Sequence, residues 1–130
     1  MSVDTENFYS ILANQERRRI LTALCREPEL CVCELADGLQ LPQPLISRHL
    51  GMMREAGLLS FRRSGTWMFY RLSPQLALWA WRSLELMSDG EAANPLFVAD
   101  GQRLMNRPVR HAAADLERSG LARPVTQQLP

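Results

Sequence analysis

Two cysteines stand one residue apart in the stretch E-L-C-V-C-E-L, residues 29–35. Cysteine fills apolar space, trades redox equivalents or binds soft ions, and the spacing of Cys31 and Cys33 bears on all three. Residues two apart in an ideal helix point about 200° from each other. Two thiolates bonding one ion at roughly 2.3 Å each need sulfurs within about 4 Å. A regular helix through both residues therefore cannot present them to one ion. Binding is expected to unwind or distort the first turn, a conflict from which a ligand-dependent switch can be built. A helix N-terminus is also expected to favour the thiolate. Two or three sulfurs select thiophilic ions over hard cations. Zinc would want four ligands, and no nearby C-x-x-C or His-x-x-x-His completes such a set, so a three-coordinate ion such as arsenic(III) or antimony(III) suits the pair better. Cys25 stands six residues before Cys31, across a turn containing Pro28 and beside the core-facing Leu24, and simple burial is its first reading. A disulfide between Cys31 and Cys33 would close a small, strained ring.

A second set of residues could work on DNA. Gln43, Ser47, Arg48, His49 and Arg54 lie along a helical stretch whose Ile46, Leu50 and Met53 are spaced for a core, and Arg62 and Arg63 follow in a β-prone run. Arginine bonds guanine edges or phosphates, glutamine suits adenine, and serine meets bases or backbone. His49 is read as packed or phosphate-facing, and Trp67 and Tyr70 as packing within a hairpin. Between residues 40 and 73 there are five arginines and one acid, Glu55, a local excess of about four positive charges in a chain whose net charge is +1. A phosphate-facing surface is expected there.

The elements that must position these residues follow from periodicity. Residues 5–13 predict a short helix with Phe8, Ile11 and Leu12 on one side. Residues 15–26 predict a second, with Ile20, Leu21 and Leu24 inward and Arg17, Arg18 and Arg19 mostly outside. A third spans 32–39. The segment Q-L-P-Q-P is a turn, and Pro44 suits the first turn of a helix running to about Ala56, which Gly57 stops. L-L-S-F-R-R, Ser-Gly and T-W-M-F-Y-R-L predict a hairpin. Ser73-Pro74 opens a helix over 74–87 whose apolar residues, Trp79 and Trp81 among them, wrap most of the way round, as in a helix buried on more than one side. Beyond Asp89 prolines 95, 108, 124 and 130 break the pattern. One more helix is expected over 108–119, with Val109, Ala112, Ala113 and Leu116 on one side.

Helix 32–39, the proline turn and helix 43–56 make a helix-turn-helix, and the hairpin makes a wing. The expected fold class is mainly α with a β-hairpin wing. Residues 1–88 would form the DNA-binding and dimerisation domain and 89–130 a C-terminal extension, partly helical or flexible. The 130 residues, 46% hydrophobic and 22% charged, fit a small globular domain. There is no lysine, so every basic contact has the forked guanidinium geometry. No apolar run is long enough to cross a membrane and the N-terminus is acidic and polar, so a cytoplasmic location with reduced thiols is expected. No nucleophile–base–acid set or phosphate loop points to an enzyme.

Taken in order, E-L-C-V-C-E-L, Q-P-L-I-S-R-H-L, R-E-A-G-L-L and G-T-W-M-F-Y-R-L-S-P resemble the ArsR/SmtB family of bacterial repressors, and within it the arsenic-responsive branch. The resemblance covers roughly residues 8–85. It implies a homodimer whose first and last core helices form the interface, here residues 5–13 and 74–87. It implies a palindromic operator, repression of a detoxification operon, and release when trivalent arsenic or antimony binds the cysteines, with no constitutive cofactor. Cys31 and Cys33 match the arsenic motif, and Ser47, Arg48 and His49 match the S-R-H of the recognition helix. Many relatives carry a third cysteine where this chain has Ala36, often a serine where it has Pro42, and a better helix former where it has Gly51. Three possibilities remain for the ion. The pair holds it with water, hydroxide or an exogenous thiol; Cys25 supplies the third sulfur; or the inducer is a methylated arsenite. A redox-responsive or ligand-insensitive regulator is the nearest alternative, and a winged-helix protein-interaction module the next.

Overall fold

The computed structural model describes residues 3–120 of the chain. Seven helices and a three-stranded sheet follow in the order α1 (Thr5–Leu12), α2 (Gln15–Arg26), β1 (Leu30–Cys31), α3 (Val32–Leu39), α4 (Gln43–Glu55), β2 (Leu59–Ser64), β3 (Trp67–Leu72), α5 (Leu78–Gly90), α6 (Pro95–Met105) and α7 (His111–Arg118). Short polar residues start several of the helices. Asp4 accepts from the Asn7 N–H, Asn14 from Arg17 and Asn94 from Leu96, so donors that a helix start would orphan are satisfied. At α4 the preceding residue is Pro42 and no side chain caps the helix; Pro44 sits in its first turn instead.

The α3–α4 turn is tight because Gln40 takes a left-handed conformation (φ 55°) and the Leu41 N–H returns to the Ala36 carbonyl. Ile46, Leu50 and Met53 of α4 are fully buried in one core with Leu35 and Leu39 of α3 and Ile20, Leu21 and Leu24 of α2. β2 and β3 pair from Leu59↔Leu72 to Ser64↔Trp67, turning at Gly65 with φ +60°. This is a winged helix-turn-helix, mainly helical, as the periodicity predicts.

Four features depart from the sequence reading. A two-residue strand, β1, pairs antiparallel with β3, Cys31 opposite Phe69. The helix expected from Pro74 begins only at Leu78, because the Ser73 hydroxyl accepts from the Gln75 N–H and the Leu76 N–H returns to Ser73 in a separate turn. Pro95 starts a helix instead of breaking one: it is the first residue of α6, behind its Asn94 cap. Arg19, expected outside, is buried. Its guanidinium forks onto both carboxylate oxygens of Asp100 at 2.8 Å and donates to the Leu39 carbonyl.

Helix α6 is thereby part of the folded body. Phe97 and Leu104 are buried, and Leu104 lies so close to α3 that a Cβ on Gly38 would come within 2.5 Å of it. The helix expected near residue 108 exists as α7, but its buried residue is Asp115, while Val109 and Ala113 are exposed. Residues 121–130, with the extension's last prolines, lie outside the described part.

Candidate functional site

Cys31 ends β1 and is at the same time the N-cap of α3, in extended conformation (φ −85°, ψ 164°); Cys33 lies inside the first turn. The 200° argument therefore does not apply, because the helix begins between the two residues. Their sulfurs lie 2.7 Å apart with α3 intact, which corrects the expectation that the first turn must unwind to bring them together. Both are free thiols, Cys31 buried and Cys33 half-buried.

Glu34 fixes this geometry. The Cys31 sulfur accepts from the Glu34 N–H at 3.4 Å, and the Glu34 carboxylate accepts from the Cys31 N–H at 3.1 Å, a capping box in which cysteine replaces the usual hydroxyl residue. The same carboxylate accepts from Arg107 at 2.7 Å and from the His111 N–H at 3.2 Å. Burial would raise the Glu34 pKa, but the hydrogen bonds from Cys31, Arg107 and His111 hold it below its ordinary value. The Cys31 thiol moves the other way. Burial, then its contact with Cys33, pushes it well above the usual thiol range, outweighing the Glu34 N–H. Cys31 is thus a neutral thiol in the free protein, against the expectation of a thiolate at a helix start.

A third donor meets the pair. His111, the first residue of α7, places Nδ1 3.5 Å from the Cys31 sulfur and 3.8 Å from that of Cys33, with its ring edge against Trp67. Cys25 is not brought to this group. It lines a different pocket with Pro28, Leu76 and Trp81, and burial pushes its thiol up to about 11.

The pocket at the cysteine pair is also lined by Gln43 and Ser47 of α4 and by Thr66, Trp67 and Met68 of the wing. Along α4, Gln43, Ser47, Arg48 and Arg54 are exposed, Arg54 lying over the Phe61 ring at 4.8 Å. His49 is not on this outer face. It is buried, and its Nε2 lies 3.0 Å from Glu16. Arg63 is exposed on the wing, whereas Arg62 is committed to the protein: it donates to Glu29 at 3.0 Å and Asp115 at 2.8 Å and sits over Phe69 at 4.4 Å. His49 and Arg62 are thus engaged within the fold, His49 by burial against Glu16 and Arg62 by Glu29 and Asp115, although His49 Nδ1 and Arg62 Nη2 have no partner among the described residues.

A sequence profile described as "Bacterial regulatory protein, arsR family" matches residues 14–60. Over 106 residues the chain is 41% identical to the arsenic resistance transcriptional regulator ArsR2 of Pseudomonas putida, covering 78% of this chain and 90% of that protein. The chain belongs to the arsR family of bacterial regulatory proteins. It is a member of a family of regulators and not of enzymes. A second relative, the arsenic resistance transcriptional regulator ArsR1 of the same organism, is 51% identical over 71 residues, 55% of this chain and 56% of that protein. The match thus spans little more than half of ArsR1. Among solved structures, the AntR antimony-specific transcriptional repressor superposes with a TM-score of 0.55 at 29% identity, covering 65% of this chain and 78% of that one.

For this arsR-family chain, the reading of residues from spacing missed Glu34 and His111. Glu34 carried a signal, since Cys31 and Glu34 stand at capping-box spacing just before an apolar run. His111 carried none: it is 78 residues from Cys33 and only the docking of α7 brings it there. Among the described residues no helix is long and apolar enough to cross a membrane.

Proposed function

We propose that the chain is a homodimeric repressor that leaves its operator when trivalent arsenic or antimony, inorganic or methylated, binds Cys31 and Cys33. The observation that carries this reading is the 2.7 Å approach of the two sulfurs at the start of α3, in a pocket shared with Gln43 and Ser47 at the leading end of α4. Arsenous acid and two thiols give a dithioarsenite and two waters. Each thiol proton leaves on a displaced hydroxide, so the neutral Cys31 thiol suffices and no oxidant is needed. Two bonds of about 2.3 Å to one ion set the sulfurs roughly 3.5 Å apart, about the spacing of two thiols in contact, so the pair can take the ion with α3 intact. The ion would sit in the pocket that Gln43 and Ser47 also line, so the ion-bound and DNA-bound arrangements compete.

On the DNA side, Gln43, Ser47, Arg48 and Arg54 of α4 enter the groove and Arg63 of the wing follows the backbone. The second copy covers the outer faces of α1 and α5, where Tyr9, Leu78, Trp79, Trp81 and Leu86 are exposed. The test is fluorescence anisotropy on the chain's own promoter DNA, titrated with arsenite and with methylarsenite. Cys31→Ser and Cys33→Ser should bind DNA as the native chain does and fail to leave it, while Cys25→Ser should still respond. Arsenite release that persists in Cys31→Ser would refute the reading; release by peroxide in place of arsenite would favour a redox pair.

A further inference from the structure

The C-terminal extension enters the cysteine site through a single side chain, His111. We propose that His111 Nδ1 is the third protein donor to the ion held by Cys31 and Cys33, making a two-sulfur, one-nitrogen site; this rests on the proposed reading of the cysteine pair. Three atoms from two separated elements already stand at near-bonding spacing. Nδ1 is 3.5 and 3.8 Å from the two sulfurs. An ion with bonds of about 2.3 Å to sulfur and about 2.1 Å to nitrogen holds such atoms roughly 3.5 Å apart. The nitrogen therefore needs almost no movement, and the sulfurs only a small opening.

The histidine is also held for this task. Its backbone N–H donates to Glu34, the residue that caps Cys31, and its ring packs at a steep angle on Trp67, centroids 4.8 Å apart. Among the described residues, the two sulfurs are the hydrogen-bonding neighbours of Nδ1; no carboxylate or carbonyl competes for it. A histidine that merely packed on the wing would have no need to aim its nitrogen at two thiols.

The donor set defines the ligand class. Two thiolates and an imidazole exclude hard, oxygen-seeking cations and suit a thiophilic ion that tolerates nitrogen. A trivalent metalloid would take all three donors, its last hydroxide leaving as water with a proton from solvent as Nδ1 bonds, so that the neutral imidazole completes a singly positive site. A d10 divalent ion such as cadmium would take the same three and keep a fourth position for solvent. Either way the absent third cysteine at Ala36 is replaced from the other end of the chain.

The experiment uses the full chain, loaded separately with arsenite and with cadmium, and X-ray absorption spectroscopy of the native protein decides. The expected result is two sulfurs and one nitrogen with the outer-shell pattern of an imidazole ring for at least one of the ions. That pattern should vanish in His111→Ala while the sulfurs remain. The affinity of His111→Ala for that ion should fall at least about tenfold, the loss that even an outer-shell partner produces. Two sulfurs without imidazole for both ions overturns the role of His111 and leaves the cysteine pair standing. A shell without sulfur overturns the cysteine reading as well.

Discussion

Glu34 ties Cys31, Arg107 and His111 together through one buried carboxylate. Its lowered pKa has a direct consequence for stability. A carboxylate with a folded-state pKa below its unfolded value stabilises the fold above the unfolded value, about 4.3, and that stabilisation is lost as pH falls through the folded value. Asp115, lowered by its bonds to Arg62 and Ser64, acts in the same sense. Acidification below about pH 4 should therefore release α7 from the body, read as a change in the near-ultraviolet circular dichroism of Trp67; Glu34→Gln should show a blunted acid transition. On the DNA side, Arg48→Ala should weaken operator binding by about 1–3 kcal/mol where Arg48 reads a guanine edge, or lower the salt slope by about one where it meets a phosphate. At this scale the sequence was most legible where chemistry is local. The cysteine spacing and the exposed face of α4 could be read directly. The burial of Arg19 and the capture of Arg62 could not, because their partners lie 81 and 53 residues away.

The elements were predicted where one periodic face meets one core, as in α2, α3 and α4. Periodicity fails where a proline that could stop a helix starts one, as at Pro95, or where a serine turn delays a helix, as after Ser73. β1 has two residues and no periodicity to read; it exists because β3 offers it an edge. α6 docks on α3 through a close approach at Gly38, whose carbonyl accepts from Arg103 at 2.6 Å. A Cβ there would meet both Cγ and Cδ2 of Leu104, atoms that cannot swing aside without moving the buried side chain. Gly38→Ala should cost about 1–3 kcal/mol. Urea unfolding of that variant with an unchanged midpoint would mean that the contact relaxes freely.

For the molecule as a whole, the extension is joined to the winged helix by a buried ion pair. Arg19 and Asp100 are both nearly inaccessible. Removing one partner leaves a buried charge unmatched, so Asp100→Ala should destabilise by roughly 3–5 kcal/mol, whereas the joint change Arg19→Met with Asp100→Leu should recover most of that loss in thermal melts. Helices α1 and α5 carry exposed apolar faces, with Leu78 62% and Leu86 70% exposed, which the proposed second copy would cover. Leu78→Glu should shift the sedimentation profile toward a monomer without altering the far-ultraviolet spectrum, and an unchanged dimer would remove these faces from the interface.

The two walls of the cysteine site are anchored very differently. α3 sets Leu35 and Leu39 into the main core, while the sole buried side chain of α7 is Asp115. Local opening free energies follow such differences. Backbone amides of α7 should therefore exchange with deuterium orders of magnitude faster than those of α3. An ion bridging the two would stay bonded to both sulfurs through each opening of α7: the opening sheds the third donor and admits solvent, while α3 keeps the cysteine pair assembled for its return.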